Sequence, residues 1–191
     1  MGRSPFPYLL AALIEHESCI SLTHSKCWNP KSSLKTAREE GAGLGQITRA
    51  YRPDGTVRFD SLAEMRRKYP LELGNLNWYN VYSSPNLQIR AIVLMMKDNY
   101  IYYRDISSSS WEAYAFADAA YNGGTKDLNR ERRACMTISG CDPSKWFNHV
   151  EKYCMKSKVA LYGKRSPCQI NRDHVNDVLN VRGPKYKSLF K

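Results

Sequence analysis

Long hydrophobic runs are missing from this sequence. The longest uncharged apolar stretch near its start, Tyr8-Leu9-Leu10-Ala11-Ala12-Leu13-Ile14, has seven residues before Glu15. A bilayer-spanning helix needs ~20, so no span is expected. The pattern of a secretory leader is also lacking: Arg3 gives a basic start, but Ser4-Pro5-Phe6-Pro7 supplies neither a longer apolar core nor a small-residue cleavage site. Synthesis without a signal peptide, in the cytoplasm, is therefore expected. No cysteine pair has the C-x2-4-C spacing of structural zinc. Cys135, Cys141, His149, Cys154, Cys168 and His174 thus make a poor zinc set, and neither a metal nor a cofactor is expected. A phosphate loop, a complete G-x-G-x-x-G, an internal repeat and a low-complexity tract are all absent. Acidic residues are scarce, 18 against 29 Lys and Arg, for a net charge of +11. That balance favours a polyanionic partner, be it nucleic acid, anionic lipid or bacterial cell wall.

What is present suffices for one core. At 191 residues and 42% hydrophobic content, the chain is read as a single domain over 1–191. The charge is uneven: residues 126–191 hold fifteen Lys and Arg against six Asp and Glu, which marks the C-terminal third as the surface for something negative. The six cysteines permit fifteen full pairings and exclude none. In a reducing cytosol they stay packed thiols, and disulfides follow only in an oxidising compartment.

Periodicity predicts a mostly helical fold with at most a small β-hairpin. Leu9, Leu10, Leu13 and Ile14 share one side of a helix over residues 8–18. Residues 19–42, broken by Asn29-Pro30 and serines, read as a long loop. Asp54-Gly55 marks a turn between two short extended pieces. Ser84-Pro85 opens a central helix with Leu87, Ala91, Leu94, Met95 and Tyr102 on one face. Trp111 to Asn122 is helical, ended by Gly123-Gly124. More helix is expected at about 144–160 and 173–182.

Three stretches carry chemistry. On a helical wheel Glu17 follows Ile14 by three residues, Leu13 by four and Leu10 by seven, inside the apolar stripe, whereas Glu15 points away as a surface charge. A carboxyl on the buried side that has no cation beside it holds a proton near neutral pH, as a general acid must. The alternative is that Glu17 lies past the helix end, where the stripe means little. The second stretch, Gly41-Ala42-Gly43-Leu44-Gly45-Gln46-Ile47, has three glycines that let backbone pass close to another surface and a glutamine that donates and accepts. The third, Ala119-Ala120-Tyr121-Asn122-Gly123-Gly124, places two polar side chains at a helix end.

Together, in this order, the stretches resemble the lytic transglycosylase and goose-type lysozyme superfamily. Its members carry Glu-Ser at a helix end, then a G-x-G-L-x-Q-[IV] loop, then A-Y-N-x-G closing a later helix. The likeness covers about residues 8–125. It implies a lysozyme-like α+β fold, a helical bundle around a sugar-binding cleft, with Glu17 as catalytic acid and base. Ser18, Gln46, Tyr121 and Asn122 would bind substrate, with Tyr121 reaching the glutamate or the sugar. Relative to the family pattern, residues 19–26 read as an insertion. Gly45 stands where many relatives have a larger residue, implying a more open groove.

The resemblance implies cleavage of the β-1,4 bond between N-acetylmuramic acid and N-acetylglucosamine in peptidoglycan, a polymer that suits a basic protein. In a lytic transglycosylase Glu17 protonates the leaving oxygen and the muramic 6-hydroxyl attacks, giving a 1,6-anhydro product. Hydrolysis is the rival, with Glu39, Glu40, Asp54 or Asp60 as the second carboxylate. A nucleic-acid binder with Trp146, Phe147, Tyr153 and Tyr162 as stacking partners lacks any supporting signature, and no nucleic acid is expected. The setting implied is a monomeric bacteriophage endolysin, made in the host cytoplasm and acting in the periplasm or on the wall, with a tail-associated or secretion-system wall enzyme as the alternative. Its basic C-terminal part would touch an anionic wall or outer-membrane surface. In that setting Cys19 and Cys27 would pair after release.

Overall fold

The computed structural model describes residues 6–160 and 163–190. Helix α1 (Tyr8–Ser18) starts after Pro7, whose φ of −61° already suits a helix. It is followed by a loop and four short strands, β1 (Ser33–Lys35), β2 (Glu39–Ala42), β3 (Ile47–Tyr51) and β4 (Val57–Asp60). These pair in sequence order as an antiparallel meander. Gly41 lies opposite Leu34 on one side and Thr48 on the other. The β3–β4 turn falls at Asp54-Gly55, as expected, with Gly55 at φ +81° and the Asp54 carboxylate accepting from Thr56 N. Helices α2 (Ser61–Lys68), α3 (Pro70–Leu73), α4 (Pro85–Arg104), α5 (Ser110–Gly123) and α6 (Thr125–Met136) follow. Near the C-terminus α7 (Pro167–Asn176) continues as a π-helical turn (Asp177–Arg182) into α8 (Gly183–Lys187).

The fold is mostly helical with a small antiparallel sheet, the class expected. The sheet has four strands instead of one hairpin, because β1 and β2 lie inside the stretch read as loop. Two glycines and two glutamates in 39–43 conceal a strand whose backbone is fully paired across both neighbours. Residues 144–160 are not a helix. They form turns, with one 3-10 turn at Val150–Lys152 and Asn148 at φ +63°. The Glu112 carboxylate accepts from the backbone N–H of Trp146 (2.7 Å) and Phe147 (3.3 Å), which satisfies donors that would otherwise need a helix.

Two apolar clusters hold these pieces. The larger gathers Leu9, Leu13, Ile92, Tyr103, Phe116, Trp146 and Leu179; the smaller puts Ala42 and Ile47 of the sheet against Leu62, Leu76 and Val81. Each fully buried Leu, Ile or Phe side chain contributes roughly 1.5–3 kcal/mol. The buried face of α4 is Gln88, Ala91, Ile92, Met96 and Tyr103, about one residue round from the predicted stripe, and Tyr102 is exposed. Trp146 is wholly buried with the Arg172 guanidinium 4.9 Å from its ring, so it offers no face to a base. Phe147 packs half-buried on the core and Tyr153 does likewise, while Tyr162 lies outside the described residues.

All six cysteines pair: Cys19–Cys27, Cys135–Cys141 and Cys154–Cys168. The reading of packed free thiols is corrected accordingly, and the cysteines of the poor zinc set are all bonded to one another. Each bridge closes a loop of 6 to 14 residues, pinning the chain where regular structure is thinnest. Among the described residues no helix is long and apolar enough to cross a membrane.

Candidate active site

The end of α1 is fixed by its own sequence. Ser18 is buried; its hydroxyl donates to Ile14 O (2.7 Å) and accepts from Trp28 N (3.2 Å). The Cys19–Cys27 bridge closes the intervening loop. Ser18 thus ties the 19–28 loop back onto the helix, and its hydroxyl faces backbone groups. Cys19, in an extended conformation, turns the chain away and leaves Glu17 at the mouth of the last turn.

Glu17 is partly exposed, its side chain 15% accessible. Its Oε1 meets His174 Nε2 at 2.9 Å, and no donor among the described residues reaches its other oxygen. The second nitrogen of His174 meets Asp118 Oδ2 at 2.8 Å. His174 is 1% exposed and Asp118 not at all. Burial alone would lower the His174 pKa, but Asp118 first and Glu17 second carry it up to about 10. At neutral pH the ring is an imidazolium set between Asp118 and Glu17. The condition for a proton held by burial alone, that no cation stand beside Glu17, is therefore not met: His174 supplies one, brought from the far end of the chain.

The glycine-rich stretch leaves β2 as a single 3-10 turn, Gly43–Gly45. Gly43 has φ +70°, and a Cβ there would lie 2.2 Å from the Gln88 amide. That amide, fully buried on α4, accepts from Leu44 N (2.9 Å) and donates to Pro30 O (2.9 Å), so one glutamine ties the turn to the loop that precedes β1. Gly45 is tighter than the open groove expected: a Cβ would sit 2.5 Å from Ile92 and 2.6 Å from the Tyr121 hydroxyl. The missing side chain makes room for these two residues, and the groove is not widened by it.

Tyr121 donates to Gly45 O at 2.7 Å, joining the third stretch to the second. Its phenol is driven well above its ordinary pKa by burial, then by Glu17 and Asp118, so it stays neutral beside the acid. Gln46 takes the left-handed conformation at φ +45°, and its amide donates back to Gly43 O (2.9 Å). Asn122 is exposed at the end of α5 and accepts from Asn171 Nδ2 (3.0 Å). The structure brings Glu17, the turn and Tyr121 together. Gln46 and Ser18 support that arrangement through backbone contacts, and Asn122 docks α7.

Glu15, expected to be a surface charge, is 1% exposed. Arg182 Nη1 (2.6 Å), Lys185 Nζ (2.9 Å) and the Tyr186 hydroxyl all donate to it. Burial would raise its pKa, but Tyr186, Lys185 and Arg182 hold it below the usual carboxylate range. The wheel failed because α1 is covered on a second side by the π turn and α8, where Gly183 lets the backbone close onto Leu9. The same segment holds His16, whose Nδ1 is 2.5 Å from Asp177.

The four candidates for a second carboxylate are differently placed. Glu40 accepts from Arg49 (3.0 Å), Tyr51 (3.1 Å) and Tyr82 (3.3 Å). Asp60 caps α2 through Ala63 N and accepts from Trp78 Nε1 (2.8 Å). Asp54 is bound to Thr56 in the β3–β4 turn. Glu39 stands at the start of β2, opposite Ala50.

Sequence reasoning missed Asp118 and gave His174 only as part of a poor zinc set. A signal for Asp118 exists: it is the one charge in the run Ala113 to Ala120, a helix otherwise fit for burial on every side. For His174 there is none, since its partners lie 157 and 56 residues away. The basic C-terminal third is thus partly interior, with Arg172 on Glu131 (2.8 Å) and Arg182 and Lys185 on Glu15. Compared with known proteins, the chain matches no family model, no curated protein and no solved structure. What it does is therefore to be read from the chemistry of the site.

Proposed function

We propose that the protein is a peptidoglycan-cleaving muramidase of the lytic transglycosylase type, with Glu17 as its acid and base. The observation that carries this reading is the setting of Glu17: one oxygen is held by a buried cation and the other has no donor among the described residues, on a partly exposed side chain beside a glycine-rich turn and a neutral tyrosine. A carboxyl anchored on one side and free on the other is what proton transfer to a bound glycosidic oxygen requires.

In this mechanism the protonated Glu17 gives its proton to the oxygen bridging N-acetylmuramic acid and N-acetylglucosamine. The bond breaks with its electrons on that oxygen. The carboxylate left behind then takes the proton of the muramic 6-hydroxyl as that oxygen bonds the anomeric carbon. Tethering the nucleophile to its target replaces a second catalytic carboxylate. The internal ties of Glu40, Asp60 and Asp54 favour this course over hydrolysis, which needs a carboxylate to activate water. The three disulfides suit action in an oxidising compartment such as the periplasm or wall. A phage endolysin that meets the anionic wall through its exposed basic residues fits the charge.

Digestion of purified sacculi in heavy-oxygen water, with mass spectrometry of the fragments, tests the reaction. Anhydro-muramic ends are expected. Reducing ends carrying solvent oxygen would make the enzyme a hydrolase, and the absence of any fragment would remove the function.

A further inference from the structure

His174 and Asp118 are deeply buried, yet they belong to no apolar core and to no surface ion pair. They come from α7 and α5, and the second ring nitrogen of His174 meets Glu17 at 2.9 Å. Asp118 Oδ1 has no partner among the described residues, and its Oδ2 touches only His174. A buried carboxylate in that position is stable only against a cation, so Asp118 fixes the charge of His174. A histidine serving Asp118 alone would have no reason to point its second nitrogen at a partly exposed carboxyl.

Resting on the reading of Glu17 above, we propose that His174, braced by Asp118, is the positioning residue of the reaction. It holds one Glu17 oxygen inward so that the other is presented to the glycosidic bond, and it keeps a fixed positive charge beside the carboxylate that forms when Glu17 gives up its proton. His174 retains both ring protons throughout; the travelling proton goes from Glu17 to the leaving oxygen and returns from the 6-hydroxyl. A charged donor in a water-poor site stabilises a developing carboxylate more than a neutral one does.

The groups facing His174 come from three elements. From α1 come Glu17 and His16, whose ring packs edge-on at 4.3 Å and whose pKa is lowered by burial and then by the His174 charge. Asp118 comes from α5, with Tyr114 and Tyr121 near it. Asp177 comes from the π turn and is held by His16 and Arg182. One imidazolium and one neutral imidazole thus stand side by side, and the charge sits on the ring that touches Glu17.

The test follows sacculus clearing against pH in wild type, D118N, H174Q and E17Q, with nitrogen NMR of the imidazole. Wild-type His174 is expected to keep both ring protons across the neutral range. In D118N the ring should lose one at lower pH than in wild type, and clearing should fall roughly tenfold or more through that titration while circular dichroism shows an intact fold. H174Q keeps a donor without the charge and should be slowed at every pH.

A neutral wild-type ring near neutral pH would overturn the proposal, as would a D118N rate lowered by one constant factor on both sides of the titration. Should D118N not fold, H174Q at about half the wild-type rate or better would do the same. E17Q keeps the two failures apart. At full rate it would remove the reading of Glu17 and leave the protonation of His174 as measured; inactive, beside a flat D118N profile, it would remove only the role of His174.

Discussion

Glu15 and Glu17 sit two residues apart on one helix and meet opposite surroundings. Glu15 is enclosed by Arg182, Lys185 and Tyr186, so that both of its oxygens are engaged. Glu17 has a single partner, His174, and an oxygen left for something else. A carboxylate with both oxygens engaged is a joint in the fold, whereas one with a single oxygen engaged and some access to water is available for chemistry. Exposure alone would have ranked them wrongly, since the more deeply buried acid is the structural one. The partners decide the role, and both sets come from the C-terminal quarter of the chain.

The sharpest way to break this contrast is to remove the joint. E15A leaves Arg182 and Lys185 without their shared acceptor and loosens α8 from α1. It is expected to cost about 2–3 kcal/mol, less than the ~3–5 kcal/mol of a fully buried broken pair, because both cations keep some access to water. Urea unfolding reads this directly. The rate per folded molecule should stay close to wild type, and a variant equally stable but inactive would reverse the two roles.

A smaller effect is expected at the turn facing Glu17. G45A places a methyl against Ile92 and the Tyr121 hydroxyl and should cost about 1–3 kcal/mol through overpacking. It should also slow clearing by displacing Tyr121. Full activity with unchanged melting would mean that the close approach of α5 to the turn has no consequence.

A separate expected effect is the pH dependence of stability. The pKa of His174 is raised in the folded state, so its contribution is fully present below its unfolded value of 6.5 and is lost as pH rises through about 10. The pKa of Glu15 is lowered, so its contribution is present above its unfolded value of 4.5 and fades as pH falls. Melting temperature should therefore drop on the alkaline side in wild type, by ~2–4 °C per kcal/mol lost, and less so in D118N. Identical alkaline slopes would show that the His174 charge does not stabilise the fold.

How much of this was legible in the sequence follows from how local each signal is. Helices α1, α4 and α5 carry their periodicity in adjacent residues, and the Gly-Gly end of α5 is visible in two letters. The Gly43–Gly45 turn showed its glycines but not their reason, because Gln88 and Tyr121, which occupy the space beside Gly43 and Gly45, lie far along the chain. Helix α6 was not anticipated, since its buried set of Leu128, Glu131 and Cys135 is thin and includes an acid that needs Arg172. Of the site, Glu17 and Tyr121 were legible and Asp118 was nearly so. The fate of Glu15 was not, because a helical wheel describes one packed face and α1 is packed on two.

The most direct test of the whole account is the clearing of purified sacculi by E17Q beside E15Q at equal concentrations of folded protein. E17Q is expected to lose about 10²–10⁴ in rate with melting close to wild type, while E15Q melts lower and clears at nearly the wild-type rate per folded molecule. Sacculi cleared by E17Q as fast as by wild type would contradict it.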